Sequence, residues 1–229
     1  MKIYFVRHGH PDYTTDSLTE LGKLQAQAAS ERLKDSDIQC VFSSTKGRAF
    51  QTAEYTAEAF GLEVIPCNFI REISWHSKDG TQIYGNGQPW LVADSFVTEG
   101  KSLCDFSWQL KEPFFRSVVT DSYKTVAEGI DVWLENLGYK REGAYYRVLE
   151  NVPYENVAVF SHAGSSTAAL SHLLNIPFPQ MCEIVDVVYT SVTVIELSND
   201  IGKLVSPKIR LLNDAKHIET IDIENVYGN

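Results

Sequence analysis

Directly after the apolar run Ile3 to Val6, the chain places Arg7, His8, Gly9, His10, Pro11 and Asp12 in succession. Two chemistries could want that cluster. The spacing His8-x-His10-x-Asp12 has the look of the start of a zinc site, while Arg7-His8-Gly9 has the look of a nucleophilic imidazole with a guanidinium beside it to meet a phosphoryl group. A metallo-hydrolase of the first kind needs histidine at position 13, where this chain has Tyr13. It also needs further histidines at suitable spacing, for which only His162 and His217 offer themselves. Arg7 and Arg48 would then be left beside a dication without a role.

The elements that must position these groups alternate between strand and helix. Ile3 to Val6 is β-prone, and Thr19 offers an N-cap with Glu20 in the first turn of a helix that keeps Leu21, Leu24 and Ala28 on one face. Cys40-Val41-Phe42 is a second strand. Behind it Ala49, Ala53, Ala57 and Phe60 recur at helical spacing until Gly61, which is placed to end the helix. Residues 62–65 and the continuous run Val157 to Phe160 read as further strands, and Ser161-His162-Ala163-Gly164 leads from the latter into a helix-prone segment. Continuous apolar strands alternating with amphipathic helices imply a mainly parallel sheet covered on both faces.

Arg7-His8, Arg48 and His162 all fall just past strand ends or at helix starts. The carboxyl ends of parallel strands gather on one edge of a sheet, where two guanidiniums and two imidazoles would make a compact pocket for phosphate oxygens.

Between 67 and 153 the alternation breaks. This stretch holds all four tryptophans, Trp75, Trp90, Trp108 and Trp133, and a helix from Asp121 to Leu137 with Val126, Ile130, Trp133 and Leu137 on one side. We read it as a helical and loop insertion capping the site, with the Gly-rich 84–90 as a surface loop. The end of the chain, "SVTVIEL" then "GKLVSPKIRLLN", predicts two strands joined by a turn at Ser198-Asn199-Asp200, forming an antiparallel edge. The expected fold is a single α/β domain over 1–229, a three-layer sandwich with a mainly parallel central sheet and helices on both faces.

With a formal charge of −10 and no Lys/Arg-rich stretch, the chain has no broad surface for nucleic acid or an anionic membrane. Any anionic substrate must be attracted locally. Cys40, Cys67, Cys104 and Cys182 stand too far apart for a CxxC pair or a zinc ribbon, so free thiols are expected. No secretory leader or apolar span is visible, which predicts a cytoplasmic protein. The reading admits a homodimer.

Five ordered blocks carry a resemblance. They are Arg7-His8-Gly9, Leu18-Thr19-Glu20-x-Gly22, Ser43-Ser44 through Arg48-Ala49 to Gln51-Thr52-Ala53, the Arg71-Glu72 pair, and Ser161-His162-Ala163-Gly164. Together with the late Leu211 to Ile218 they resemble the histidine phosphatase superfamily, also called phosphoglycerate-mutase-like. The resemblance implies that fold, a phosphohistidine formed on His8, and no metal or other cofactor. It further implies that Arg7, Arg48 and His162 bind the transferring group of a small phosphorylated substrate, with Gly9, His10 and Ala163 lining the same place. It asks for an acid as well. Glu72 matches the family position, with Asp12 as the alternative; His76, His172 and His217 are assigned structural roles.

Mutases of the family continue after their RHG block with an asparagine- and tryptophan-containing stretch, and here His10-Pro11-Asp12-Tyr13-Thr14-Thr15 follows instead. Hydrolysis of a phosphomonoester is therefore the expected reaction. Mutase-type transfer is the alternative, ahead of a zinc hydrolase or a phospho-ligand binding module without turnover.

Overall fold

The computed structural model describes residues 1–224. Strand β1 (Lys2–Arg7) opens the chain, followed by a short hairpin of β2 (Pro11–Asp12) and β3 (Ser17–Leu18). Helix α1 (Glu20–Leu33) begins as expected at Thr19, whose Oγ1 accepts from Gly22 N at 3.1 Å and satisfies one of the free first-turn amides. Strand β4 (Cys40–Ser44) is buried throughout and leads into α2 (Gly47–Phe60), which Gly61 closes at a left-handed φ of 65°. Strand β5 (Val64–Cys67) lies two residues later than the 62–65 read from the sequence, because Leu62 and Glu63 serve as the connection out of the cap.

The stretch 67–153 holds more than the expected single helix. It contains α3 (Pro89–Thr98), α4 (Val119–Asn136) and a hairpin of β6 (Tyr139–Glu142) and β7 (Tyr145–Val148). The segment read as a surface loop is a tight turn at Tyr84–Gly87, after which Pro89 starts α3 from the first helical position. Strand β8 (Asn156–Ser161) then enters the sheet and feeds α5 (Ala163–Leu174), and α6 (Phe178–Ile184) follows. The chain ends through β9 (Val192–Glu196), β10 (Leu204–Val205) and β11 (Lys208–Asp214). The last predicted strand is therefore two: Ser206-Pro207 interrupts it, and β10 leaves to pair with β7 in a separate small sheet.

The main sheet has the order β11-β9-β1-β8-β4-β5, parallel from β1 to β5 and antiparallel at β9 and β11. Alternate residues of its strands serve opposite faces. Val6, Val41, Ala158 and Phe160 pack against Leu33 of α1 and Ala53 and Ala57 of α2. On the other face Phe5, Phe42, Val157 and Val159 meet Ala168, Ala169 and Leu173 of α5, with Ile130, Trp133 and Leu134 of α4 in the same cluster. The edge of Phe42 meets Trp133 with centroids 5.3 Å apart. Burying one Leu- or Phe-sized side chain is worth about 1.5–3 kcal/mol, so these two layers fix which face of the sheet each strand residue occupies.

Register then sets the chemistry. Arg7 is level with Ser161 across β1 and β8, and Ser43 is level with Phe160 across β8 and β4. His8, His162 and the start of α2 consequently emerge side by side on one sheet edge.

Candidate active site

His8 follows β1 and keeps the strand path for one more residue, donating its backbone N–H to Ser161 O at 2.9 Å. Its side chain is 1% exposed. Nδ1 lies 2.7 Å from the Gly9 carbonyl oxygen, and because a carbonyl can only accept, Nδ1 carries the hydrogen. The lone pair is therefore on Nε2, where the Arg48 Nε–H donates to it at 3.2 Å. Burial first, then the Arg7 guanidinium, pushes the pKa of His8 down to about 3, with Arg48 and His10 acting in the same direction and the Gly9 carbonyl opposing. The imidazole is neutral, and its one lone pair, on Nε2, faces the Arg48 Nε–H.

Arg48 stands in the first turn of α2 and is buried. Its Nη1 donates to Asp16, whose other carboxylate oxygen accepts from Gly47 N at 3.1 Å. His162 is the residue before α5; its Nε2 lies 2.8 Å from Ser44 Oγ at the end of β4. Burial and the neighbouring His8, Arg48 and Arg7 hold its pKa well below the usual histidine range. The two imidazole rings stand 5.0 Å apart at an interplanar angle of 63°.

Arg7 is held by the loop before β9. Its Nη1 donates to Val187 O at 2.6 Å, its guanidinium lies over the Tyr189 ring at 3.9 Å, and its carbonyl accepts from Thr190 N at 3.1 Å. The same loop is anchored from behind, where Asn213 Oδ1 accepts from Val188 N at 3.1 Å and His217 Nε2 meets Thr190 Oγ1 at 3.2 Å. The late block from Leu211 to Ile218 thus acts on the site through this loop.

Glu72 reaches across to the start of α5. Oε1 accepts from Ile73 N and Ser165 N, each at 3.0 Å, and Oε2 accepts from Gly164 N at 3.5 Å. It pairs with neither Arg71 nor Arg48. Burial raises its pKa, against the pull of these amides and of Arg7, so desolvation wins over the donors. A Cβ on Gly164 would lie 2.5 Å from Ile73 Cγ1 and 2.8 Å from Glu72 Oε1, so the bare position lets the Glu72-Ile73 segment lie against the start of α5. Asp12 has a different environment. It accepts from Thr14 N at 2.8 Å and Thr15 Oγ1 at 3.0 Å, bonds that hold it below the usual carboxylate range and commit it to its own turn.

Gly9 has its reason in packing. A Cβ there would come within 2.5 Å of Gly22 O, and one on Gly22 within 2.2 Å of His10 O, so the two glycines let the loop after β1 lie against α1. His10 is tied to the same helix start, with its N donating to Gln25 Oε1 at 2.6 Å and Nδ1 2.9 Å from Thr19 Oγ1. Its ring meets Tyr189 at 5.5 Å. Ala163 is the first residue of α5, next to His162.

Arg7, His8, Arg48, Glu72 and His162 are therefore brought to one sheet edge. Asp16, Ser44 and Tyr189 were missed in the sequence, and only Ser44 had a signal, standing in the Ser43-Ser44 block. Among the described residues no three His, Cys, Asp or Glu side chains are grouped to hold a metal ion.

Comparison with known proteins follows the same outline. Residues 3–106 match the family model of the histidine phosphatase superfamily (branch 1). The chain is 38% identical over 82 residues to the probable phosphoglycerate mutase GpmB of Proteus mirabilis, covering 32% of this chain and 38% of that protein. It is 29% identical over 125 residues to the protein of the same name from Escherichia coli, covering 47% of this chain and 58% of that one. The chain thus spans about half the length of the curated relatives it matches. A mycobacterial glucosyl-3-phosphoglycerate phosphatase in complex with VO3 shares the fold with a TM-score of 0.60 at 22% identity, over 93% of this chain and 98% of that one. A phosphoserine phosphatase mutant from Entamoeba histolytica, in complex with phosphoserine, does so with a TM-score of 0.61 at 20% identity, over 95% and 98%.

Proposed function

We propose that the chain, whose residues 3–106 match the family model of the histidine phosphatase superfamily, is a member of that family and hydrolyses a small phosphomonoester through a phosphohistidine on His8. The observation that carries this reading is the tautomer of His8: Nδ1–H is committed to Gly9 O, and Nε2 keeps its lone pair beside a buried guanidinium. In the first step Nε2 attacks phosphorus as the bond to the ester oxygen breaks. Glu72, in its carboxylic acid form, gives that oxygen its proton and the alcohol leaves. In the second step water attacks the phosphohistidine, the Glu72 carboxylate takes the proton of the water, and phosphate departs with His8 neutral again. Arg7, Arg48 and His162 surround the transferring group and offset the charge on its equatorial oxygens. No step of this scheme uses a metal.

The segment carrying Glu72, Ile73 and Trp75 would border the leaving group, which is the role we give the start of 67–153. Four unpaired thiols support a reducing, cytoplasmic setting as part of the proposal. Hydrolysis is favoured by the chain's departure from the mutase pattern after Gly9, and two structural neighbours carry phosphatase names. The names of the curated relatives support the second reading, transfer to another hydroxyl of the product.

The test is a panel of phosphorylated metabolites assayed for both free phosphate and isomerised ester, with His8→Ala in parallel. Phosphate release that disappears in His8→Ala is the expected result. Isomer without phosphate would favour the mutase, and unchanged turnover in His8→Ala would remove the nucleophile assignment.

A further inference from the structure

The guanidinium of Arg48 can present two parallel N–H groups along its side, from Nε and Nη2, or along its end, from the two Nη atoms. Asp16 decides between these edges. One carboxylate oxygen accepts from Nη1, on the far side from the Nε/Nη2 edge, and the other accepts from Gly47 N at 3.1 Å. Asp16 itself is held at a left-handed φ of 52°, which few residues other than glycine, asparagine and aspartate adopt. Its carbonyl oxygen fills the space beside Gly47, where a Cβ would meet it at 2.2 Å. The carboxylate is thus fixed to the first residue of α2 and aimed at the side chain one residue later. With Nη1 taken, Nε points at His8 Nε2 from 3.2 Å.

We propose that Asp16 is a positioning residue for the transfer reaction. By holding Nη1 it turns the Nε/Nη2 edge of Arg48 toward His8 Nε2, so that two parallel donors meet the phosphoryl oxygens as they arrive. The inference rests on the reading of His8 as nucleophile. It makes a demand that a purely electrostatic role would not. A carboxylate near a dianion weakens binding of the ground state, so charge alone predicts that removing it lowers KM and leaves kcat unchanged. Positioning predicts that kcat falls.

The experiment is a double-mutant cycle of Asp16→Ala and Arg48→Ala, assayed with p-nitrophenyl phosphate, with vanadate inhibition as a second readout. Asp16→Ala should lower kcat by about 10- to 100-fold, the order expected when a catalytic group is slightly misplaced. In the Arg48→Ala background the same change should alter kcat by less than about twofold, because residues acting through one another do not combine independently. Asp16→Asn, which can still accept from Nη1, should recover most of the lost kcat, and it carries the test if Asp16→Ala does not fold. Losses that multiply across the two backgrounds, or an unchanged kcat with a lower KM, would overturn the inference while leaving the reading of His8 in place. A wild-type protein that neither turns over aryl phosphate nor responds to vanadate would overturn the reading first and the inference with it.

Discussion

Burial and the Arg7 guanidinium hold His8 neutral down to about pH 3, while burial keeps the Glu72 carboxyl protonated above its ordinary range. These opposite shifts set the pH dependence of the first step. The value of kcat/KM should rise from about pH 3 as His8 loses its proton and fall again as Glu72 ionises, with the alkaline fall displaced above the ordinary carboxylate range. Glu72→Gln should abolish the alkaline fall for an activated aryl ester. For an ester with a poor leaving group it should cost about 10²–10⁴-fold, the range of general acid catalysis, and equal losses on both esters would contradict the acid role.

Stability carries the same signature. His8 and His162 bind protons near pH 6.5 when unfolded and far lower when folded, so between those values the unfolded chain holds more protons. Acidification from pH 6.5 toward about 3 should therefore lower the melting temperature, and a flat profile over that window would contradict the buried neutral histidines.

At the scale of elements, the site depends on close backbone approach. Gly9→Ala would drive a Cβ to 2.5 Å from Gly22 O, where no flexible side chain can yield. It should destabilise the protein by about 1–3 kcal/mol, as overpacking does, and reduce turnover by shifting His8. Thermal unfolding and kcat measured together would check both. Leu170→Ala, in the buried face of α5, should cost about 2–5 kcal/mol.

What was legible in the sequence was what obeys local rules. Thr19, Gly61, the apolar rows of α2 and α4, and the continuous strands β1, β4 and β8 each state their own conformation. The β6–β7 hairpin was not legible, because Tyr139, Tyr146 and Val148 are buried by the fold around them while their neighbours are polar. Helix α3 was hidden by Gly85 and Gly87 before it, although Pro89 at its first position was a usable start signal. Asp16 could not be found at all. Its partner lies 32 residues away, and only the meeting of the β2–β3 loop with α2 brings them together.

Taken as a whole, the molecule is acidic and gathers cations at one place. Arg48 is matched there by Asp16, Arg7 is held by a carbonyl and an aromatic ring, and two neutral imidazoles lie between. Among the described residues no helix is long and apolar enough to cross a membrane. Because the cationic side chains supply the charge, incubation with EDTA followed by desalting should leave kcat within experimental error of the untreated enzyme. Activity lost to the chelator and restored by zinc would contradict the scheme.

The central claim is most directly tested by rapid quenching of the enzyme with a turning-over aryl phosphate in alkali, where phosphohistidine survives, followed by peptide mapping. The account predicts a phosphoryl group on the peptide containing His8, at the nitrogen away from Gly9, and none in His8→Ala. A phosphoryl group on any other residue, or turnover with His8 never modified, would contradict it.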